Sequence, residues 1–164
     1  MERVKKRWIE TRLEAALSAV PVVVITGARQ TGKSTLARSA AHLRDRPYHT
    51  LDRLDILDLA RRAPEELLRS LPVTIDEIQR APEMLLAVKL RVDEARQRGE
   101  AINGAIVLTG SANLALMAGV GESLAGRAAY LHLPPFCPGE WLESSQALAA
   151  LDSLFAEDFD VSGE

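Results

Sequence analysis

The sequence predicts a three-layer α/β domain, a mostly parallel five-stranded sheet flanked by helices. Three observations carry that expectation. Val22-Val23-Val24-Ile25 is a run of β-branched residues without alternation, the pattern of a strand covered on both faces. A glycine-containing loop, Gly27 to Ser34, follows it and leads into a helical stretch and a short strand, completing a strand-loop-helix-strand unit. Beyond that unit apolar strands and helical patterns keep alternating, and in doubly wound sheets of this kind ligands bind outside the carboxyl ends of the strands.

The elements follow in order. Val4, Trp8, Ile9, Leu13, Ala16, Leu17 and Val20 fall at steps suited to one stripe of an amphipathic helix, which Pro21 stops. After the glycine loop, Ser34 to Leu43 reads as a helix, and Tyr48 to Leu51 as a second strand ending at Asp52. Leu54, Leu57 and Leu59 continue a helical pattern, and Pro64 opens a short helix with Glu65 and Glu66 complementing its dipole. Pro72 to Ile75 is the third strand, ending in Asp76-Glu77. Pro82 opens a helix in which Leu85, Val88, Val92 and Ala95 share a face until Gly99. Ala105 to Leu108 is the fourth strand, running into Thr109-Gly110-Ser111, and Tyr130 to Leu133 the fifth. Pro134, Pro135, Pro138 and Gly139 then interrupt regular structure before a helical pattern at Ala147 to Phe155. The chain therefore divides into an amphipathic helix at 1–20, a ligand-binding domain at 21–141 and an acidic segment at 142–164.

At 164 residues, 47% hydrophobic and 26% charged, the chain has the size and mix of one globular domain. Its net charge of −3 argues against a general nucleic-acid coat, so nucleic acid is an unexpected partner. Lys5, Lys6 and Arg7 in the opening segment still motivate DNA binding as a minor alternative. After Arg127 the chain carries no Lys or Arg, and its acidic end repels nucleic acid. Cys137 has no second cysteine to pair with, which suits a reducing cytoplasm. His42, His49 and His132 show no metal spacing. Glu10, Arg12 and Glu14 interrupt the region where a signal peptide needs its apolar run, and nowhere do about 18 consecutive apolar residues make a spanning helix. A cytoplasmic location without a membrane segment is the expectation.

The chemistry concentrates at the strand ends. Gly27-Ala28-Arg29-Gln30-Thr31-Gly32-Lys33-Ser34 satisfies G-x-x-x-x-G-K-[ST] between a buried strand and a helix, the context in which that spacing forms a phosphate-binding P-loop. Gly27 and Gly32 permit backbone angles that turn successive N–H groups inward around phosphates. The helix N-terminus adds about half a positive charge. Lys33 then reaches the β- and γ-phosphates, the Ser34 hydroxyl ligates Mg²⁺, and Thr35 touches the α-phosphate. Asp76 and Glu77, at the end of an apolar strand, point differently: Asp76 suits the Mg²⁺ hydration shell, and Glu77 suits orientation of an attacking water. The fourth strand ends in Thr109, Gly110, Ser111 and Asn113, among which Ser111 is the first choice and Thr109 the second for hydrogen bonding a γ-phosphate. A plain turn after a strand is the competing reading of those residues. Arg127 offers positive charge to a transition state, in its own site or a neighbour's, though composition alone favours a solvated arginine.

Four ordered segments, TGARQTGKSTL, VTIDEIQRAP, VLTGSANLALM and ESLAGR, resemble the prokaryotic AAA-type ATPases, whose signature is a G-x-RQ-x-GKT loop with a DEIQ second motif. The resemblance covers about Pro21 to Trp141. It implies an AAA-like P-loop NTPase fold with Walker A at Gly27 to Ser34, Walker B at Asp76 and Glu77, a sensor near Ser111, and an arginine-finger or sensor role for Arg127. Gln30, Gln79 and Arg80 belong to the same signatures without an assigned chemistry. Members of the family continue into a helical lid and a C-terminal domain, whereas this sequence stops soon after PPFCPGEWLE, so 142–164 reads as the start of a further region. The expected activity is binding and hydrolysis of ATP with Mg²⁺, coupled to a conformational change in a protein partner, a C-terminal domain or a second copy. A non-hydrolysing ATP-binding switch is the alternative, and a small-molecule kinase the less favoured third.

Overall fold

A computed structural model describes residues 5–111 and 124–141, and these divide into two compact units, one of residues 9–135 and one that pairs residues 5–8 with 136–141. The larger unit is built on a five-stranded sheet. Its strands are β1 (Val22–Gly27), β2 (Tyr48–Thr50), β3 (Val73–Asp76), β4 (Ile106–Ser111) and β5 (Ala128–His132). They lie in the order β2-β3-β4-β1-β5, and every pairing is parallel. Parallel neighbours need crossovers, and α2 (Lys33–Ser39), α3 (Leu54–Arg62) with α4 (Pro64–Leu67), and α5 (Met84–Gln97) lie in those between β1 and β4, while α1 (Ile9–Ala19) precedes β1.

Alternation along β1 explains the three layers. Val22 and Val24 point to one face, where they pack with Ile106 and Leu108 of β4 beneath α3, α4 and α5 through Leu57, Leu67, Val88 and Val92. Val23 and Ile25 point to the other, against Leu13 and Leu17 of α1 and Leu36 of α2. Both faces are sealed, and all six residues of β1 are buried. That is why Val22 to Ile25 run apolar without alternation.

Several element ends differ from the sequence reading. The opening helix begins at Ile9 instead of Val4, which itself lies outside the described residues. Arg7 and Trp8 belong to the smaller unit: Arg7 Nε donates to Glu140 Oε1 at 3.1 Å, and Trp8 N donates to the same oxygen at 2.8 Å. Both bonds reach a carboxylate more than 130 residues away, a contact that a local apolar stripe does not register, so the stripe overran the true start. Burial pushes the Glu140 carboxyl up, but the donors from Arg7, Trp8 and Cys137 outweigh it and leave Glu140 below its ordinary value. Helix α2 stops at Ser39 because Ala40 turns to extended backbone, although Leu43 remains buried. Pro138, read as a breaker, heads the short helix α6 (Pro138–Trp141), where its missing N–H costs nothing. A 3₁₀ turn at Ile78–Arg80, absent from the sequence reading, connects β3 toward α5. The helical pattern at 147–155, the acidic segment 142–164 and Asn113 lie outside the described residues. Among those described, no helix is long and apolar enough to cross a membrane.

The fold makes a test of its central strand straightforward. Leu108→Ala, at a position with no exposed surface, should destabilise the protein by about 2–5 kcal/mol in urea unfolding. Leu90→Ala, on the exposed side of α5, should stay within about 0.5 kcal/mol of wild type.

Candidate functional site

Because all five strands are parallel, β1, β3 and β4 deliver their carboxyl ends to one edge of the sheet. The loop 27–34 leaves β1 there, and its first glycine is required by crowding. A β-carbon on Gly27 would lie 2.5 Å from the Leu133 carbonyl oxygen. Gly32 is required by its backbone, φ 91°, in the left-handed region just before α2. Between them Gln30 is also left-handed, at φ 63°, so the loop curls tightly and the first-turn amides of α2 have no intrahelical acceptor.

Lys33 is folded into this curl. Its side chain is 6% exposed, and Nζ donates to the carbonyls of Gly27 (3.1 Å) and Ala28 (2.8 Å). Among the described residues no carboxylate forms an ion pair with it. A buried ammonium satisfied only by neutral carbonyls leaves its charge unbalanced, and an anion is what balances it.

Asp76 is the second fixed point. It is 3% exposed at the end of β3, and its carboxylate accepts hydrogen bonds from three hydroxyls on three other segments. Ser34 Oγ, at the start of α2, lies 3.1 and 3.0 Å from the two oxygens. Tyr48 OH, on β2, donates at 2.6 Å, and Thr109 Oγ1, on β4, donates to Oδ1. The carboxylate and the Ser34 hydroxyl are a hard oxygen pair of the kind that holds Mg²⁺ through a partly retained water shell, so the residues fit that ion. Burial and the bond to Asp76 push the Tyr48 phenol up to about 12. The Arg38 guanidinium stacks on the ring of Tyr48 at 4.3 Å.

Glu77 follows Asp76 and takes a left-handed backbone, φ 61° and ψ 42°. For a residue with a β-carbon this costs on the order of 1 kcal/mol or more, and such residues cluster at functional sites. Its backbone N–H donates to Thr109 Oγ1 at 3.3 Å, and its carboxylate accepts from Gln79 Nε2. Gln79 in turn accepts at Oε1 from the backbone N–H of Ser111, 3.2 Å away at the end of β4. Between the two halves lies a cleft of about 660 Å³, lined on one side by Arg29, Gln30, Gly32, Lys33, Ser34 and Thr35 and on the other by Asp52, Glu77, Gln79 and Ser111.

The structure thus brings together the loop residues, Asp76, Glu77 and Ser111 at one edge. Of the two sensor choices, Ser111 lines the cleft whereas Thr109 is fully buried with its hydroxyl on Asp76. Arg127 is not brought there. It precedes β5, and its carbonyl accepts from Val22 N at the amino end of β1, about five residues or roughly 16 Å from Gly27. Its guanidinium pairs with Asp93 of α5 at 2.7 and 2.9 Å and holds that carboxyl below its ordinary value. The structure thus does not bring Arg127 to its own chain's cleft. Tyr48, Gln79 and Asp52, whose carboxylate pairs with Arg80, were not read as site residues from the sequence. The tyrosine joins only through the pairing of β2 with β3, which sets Thr50 beside Asp76, and linear sequence carries no signal for it.

Comparison with known proteins agrees with this architecture. A family model described as an AAA domain matches residues 19–142. Two uncharacterized mycobacterial proteins, Mb2031c of Mycobacterium bovis and Rv2008c of Mycobacterium tuberculosis, are each 35% identical over 133 residues, which is 79% of this chain and 29% of theirs. The chain thus spans under a third of the length of these relatives. Among solved structures, the Walker-type ATPase PABY2304 of Pyrococcus abyssi superposes with a TM-score of 0.53 at 17% identity, over 94% of this chain and 60% of that one. Domain III of the Thermotoga maritima replication initiation protein DnaA gives 0.54 at 13%, over 92% and 72%. At these identities the likeness establishes the three-layer P-loop fold.

The bond between Tyr48 and Asp76 has a spectroscopic signature. Titration at 295 nm should show a phenol ionising at about 12 that Tyr48→Phe removes and that Asp76→Asn moves down toward 10.0. Because the raised value favours the neutral phenol in the folded state, its stabilising effect is present below pH 10.0 and lost as the pH rises through about 12.

Proposed function

The chain belongs to the AAA domain family, and from that premise and the cleft just described we propose that it binds Mg-ATP and hydrolyses it to ADP and phosphate. The single observation that carries this reading is the buried Lys33 ammonium, which is bonded to carbonyls of its own loop and, among the described residues, to no carboxylate. In this reading the amides of residues 28–35 and the Lys33 ammonium bind the polyphosphate, with Arg29 and Gln30 at the rim of the loop and Thr35 toward the α-phosphate. Asp76 and Ser34 hold Mg²⁺, which neutralises charge on the phosphate oxygens when bound.

Glu77 orients the attacking water. Phosphoryl transfer needs a water held in line and charge spread over the transferred group, with little covalent work from the protein. The left-handed backbone at Glu77 supports this role, because it turns the side chain out of the strand's alternation and into the cleft beside Ser111. Ser111, at the end of the neighbouring strand, is suited to sense the γ-phosphate. Arg127 enters this reading only as a group offered to a neighbouring copy. Coupling of the nucleotide state to a protein partner, to a further domain or to a second copy belongs to the proposal as well, since the chain matches only 29% of the length of its mycobacterial relatives.

Lys33→Ala should weaken Mg-ATP binding at least tenfold by calorimetry, and unchanged affinity would count against the site. Glu77→Gln should leave affinity within a few-fold and slow phosphate release by about 10²-fold or more. A protein that binds ATP and releases no phosphate would be a nucleotide-dependent switch instead.

A further inference from the structure

We propose that Gln79 is a positioning residue for the hydrolytic step, holding the Glu77 carboxylate in register with the end of β4. The inference rests on the hydrolytic reading above and adds a residue with no assigned chemistry. Gln79 lies in the 3₁₀ turn directly after Glu77, and its side-chain amide is used at both ends. Nε2 donates to Glu77 Oε2, and Oε1 accepts from the Ser111 backbone N–H at 3.2 Å.

The chemistry at the two ends fixes which way the amide faces. A backbone N–H can be met only by an acceptor and an ionised carboxylate only by a donor, so the oxygen turns to Ser111 and the nitrogen to Glu77. The opposite orientation would set N–H against N–H and oxygen against carboxylate. Glutamine is thus the residue whose side chain satisfies both partners at this reach. Glutamate lacks the donor, asparagine is one carbon shorter, and alanine lacks both groups.

Glu77 needs such a tether. Its left-handed backbone sets it apart from the strand, and among the described residues the donor to its carboxylate is Gln79 alone. The tether occupies Oε2 and leaves Oε1 to accept from a water. It also ties the water-orienting carboxylate to Ser111, which lines the same cleft, so a shift of the β4 end when a γ-phosphate arrives or leaves is passed to Glu77 through one side chain. A carboxylate aligned in this way affects the chemical step more than nucleotide affinity.

Steady-state phosphate release and Mg-ATP affinity, measured on wild type, Gln79→Ala, Gln79→Glu, Glu77→Gln and the double variant Glu77→Gln/Gln79→Ala, test this. Loss of a hydrogen bond to a charged group corresponds to about 10- to 100-fold in rate, so Gln79→Ala should lose that much kcat while KM and affinity stay within about twofold. Gln79→Glu keeps the shape and the acceptor for Ser111 but lacks the donor, and should fall as far, even if the alanine variant folds poorly. In the double variant, Gln79→Ala should add nothing to the loss from Glu77→Gln, because the group it positions is already gone. A Gln79 variant with unchanged or raised kcat, or losses that multiply in full, would overturn the inference while leaving hydrolysis standing. A wild type that binds Mg-ATP and releases no phosphate would overturn the hydrolytic reading, and this inference with it.

Discussion

Lys33 holds the arrangement to its purpose. Its ammonium is buried under a loop that Gly27 and Gly32 allow to close, and its hydrogen bonds go to the loop's own carbonyls. Burying a charge without a countercharge is unfavourable, and a fold selected for stability alone would place an apolar residue there. In the proposed function the balance is restored when a polyanion enters the loop, because its oxygens then meet both the ammonium and the first-turn amides. In that proposed function the folded loop is a site prepared for phosphate, and the remaining residues at the sheet edge take their roles from that position.

The order of strands decides which groups can join it. β4 lies between β1 and β3, so the end of the phosphate loop and the Asp76-Glu77 pair are separated by the width of one strand, and the cleft opens over that strand's end. Asp76 spans the gap through hydroxyls from α2, β2 and β4. A carboxylate fixed from three sides keeps its place, so the groups proposed to bind phosphate and those proposed to act on it keep one spacing. Gln79 bridges the half of this gap nearer β3, from the turn after β3 to the end of β4.

What could be read from the sequence follows from where the determining information lies. β1 was readable because burial on both faces writes itself as an unbroken β-branched run, and the loop because its glycines and lysine have fixed spacing along the chain. Asp76 and Glu77 were readable as strand-terminal carboxylates. The hydroxyl of Tyr48 was not, because it arrives by strand pairing across 28 residues. Gln79 sat inside a quoted motif, yet its partners became visible only when β3 and β4 were seen to be adjacent. Arg127 shows the converse: a motif match suggested proximity, but the register that pairs Val22 with Ala128 puts the arginine at the opposite edge of the sheet. The opening helix was overrun for a similar reason, since the bond from Trp8 N to Glu140 joins residues 132 apart.

The central claim is that the loop around Lys33 is built for a polyphosphate, and ligand-induced thermal stabilisation tests it most directly. A ligand bound by the folded state alone raises the melting temperature, with about 2.7 kcal/mol gained when its concentration is 100 times the Kd. Millimolar Mg-ATP should raise the melting temperature by several degrees, and millimolar adenosine, which carries the base and sugar without phosphates, should raise it far less. A melting temperature that Mg-ATP leaves unmoved, or that adenosine raises equally, would contradict the account.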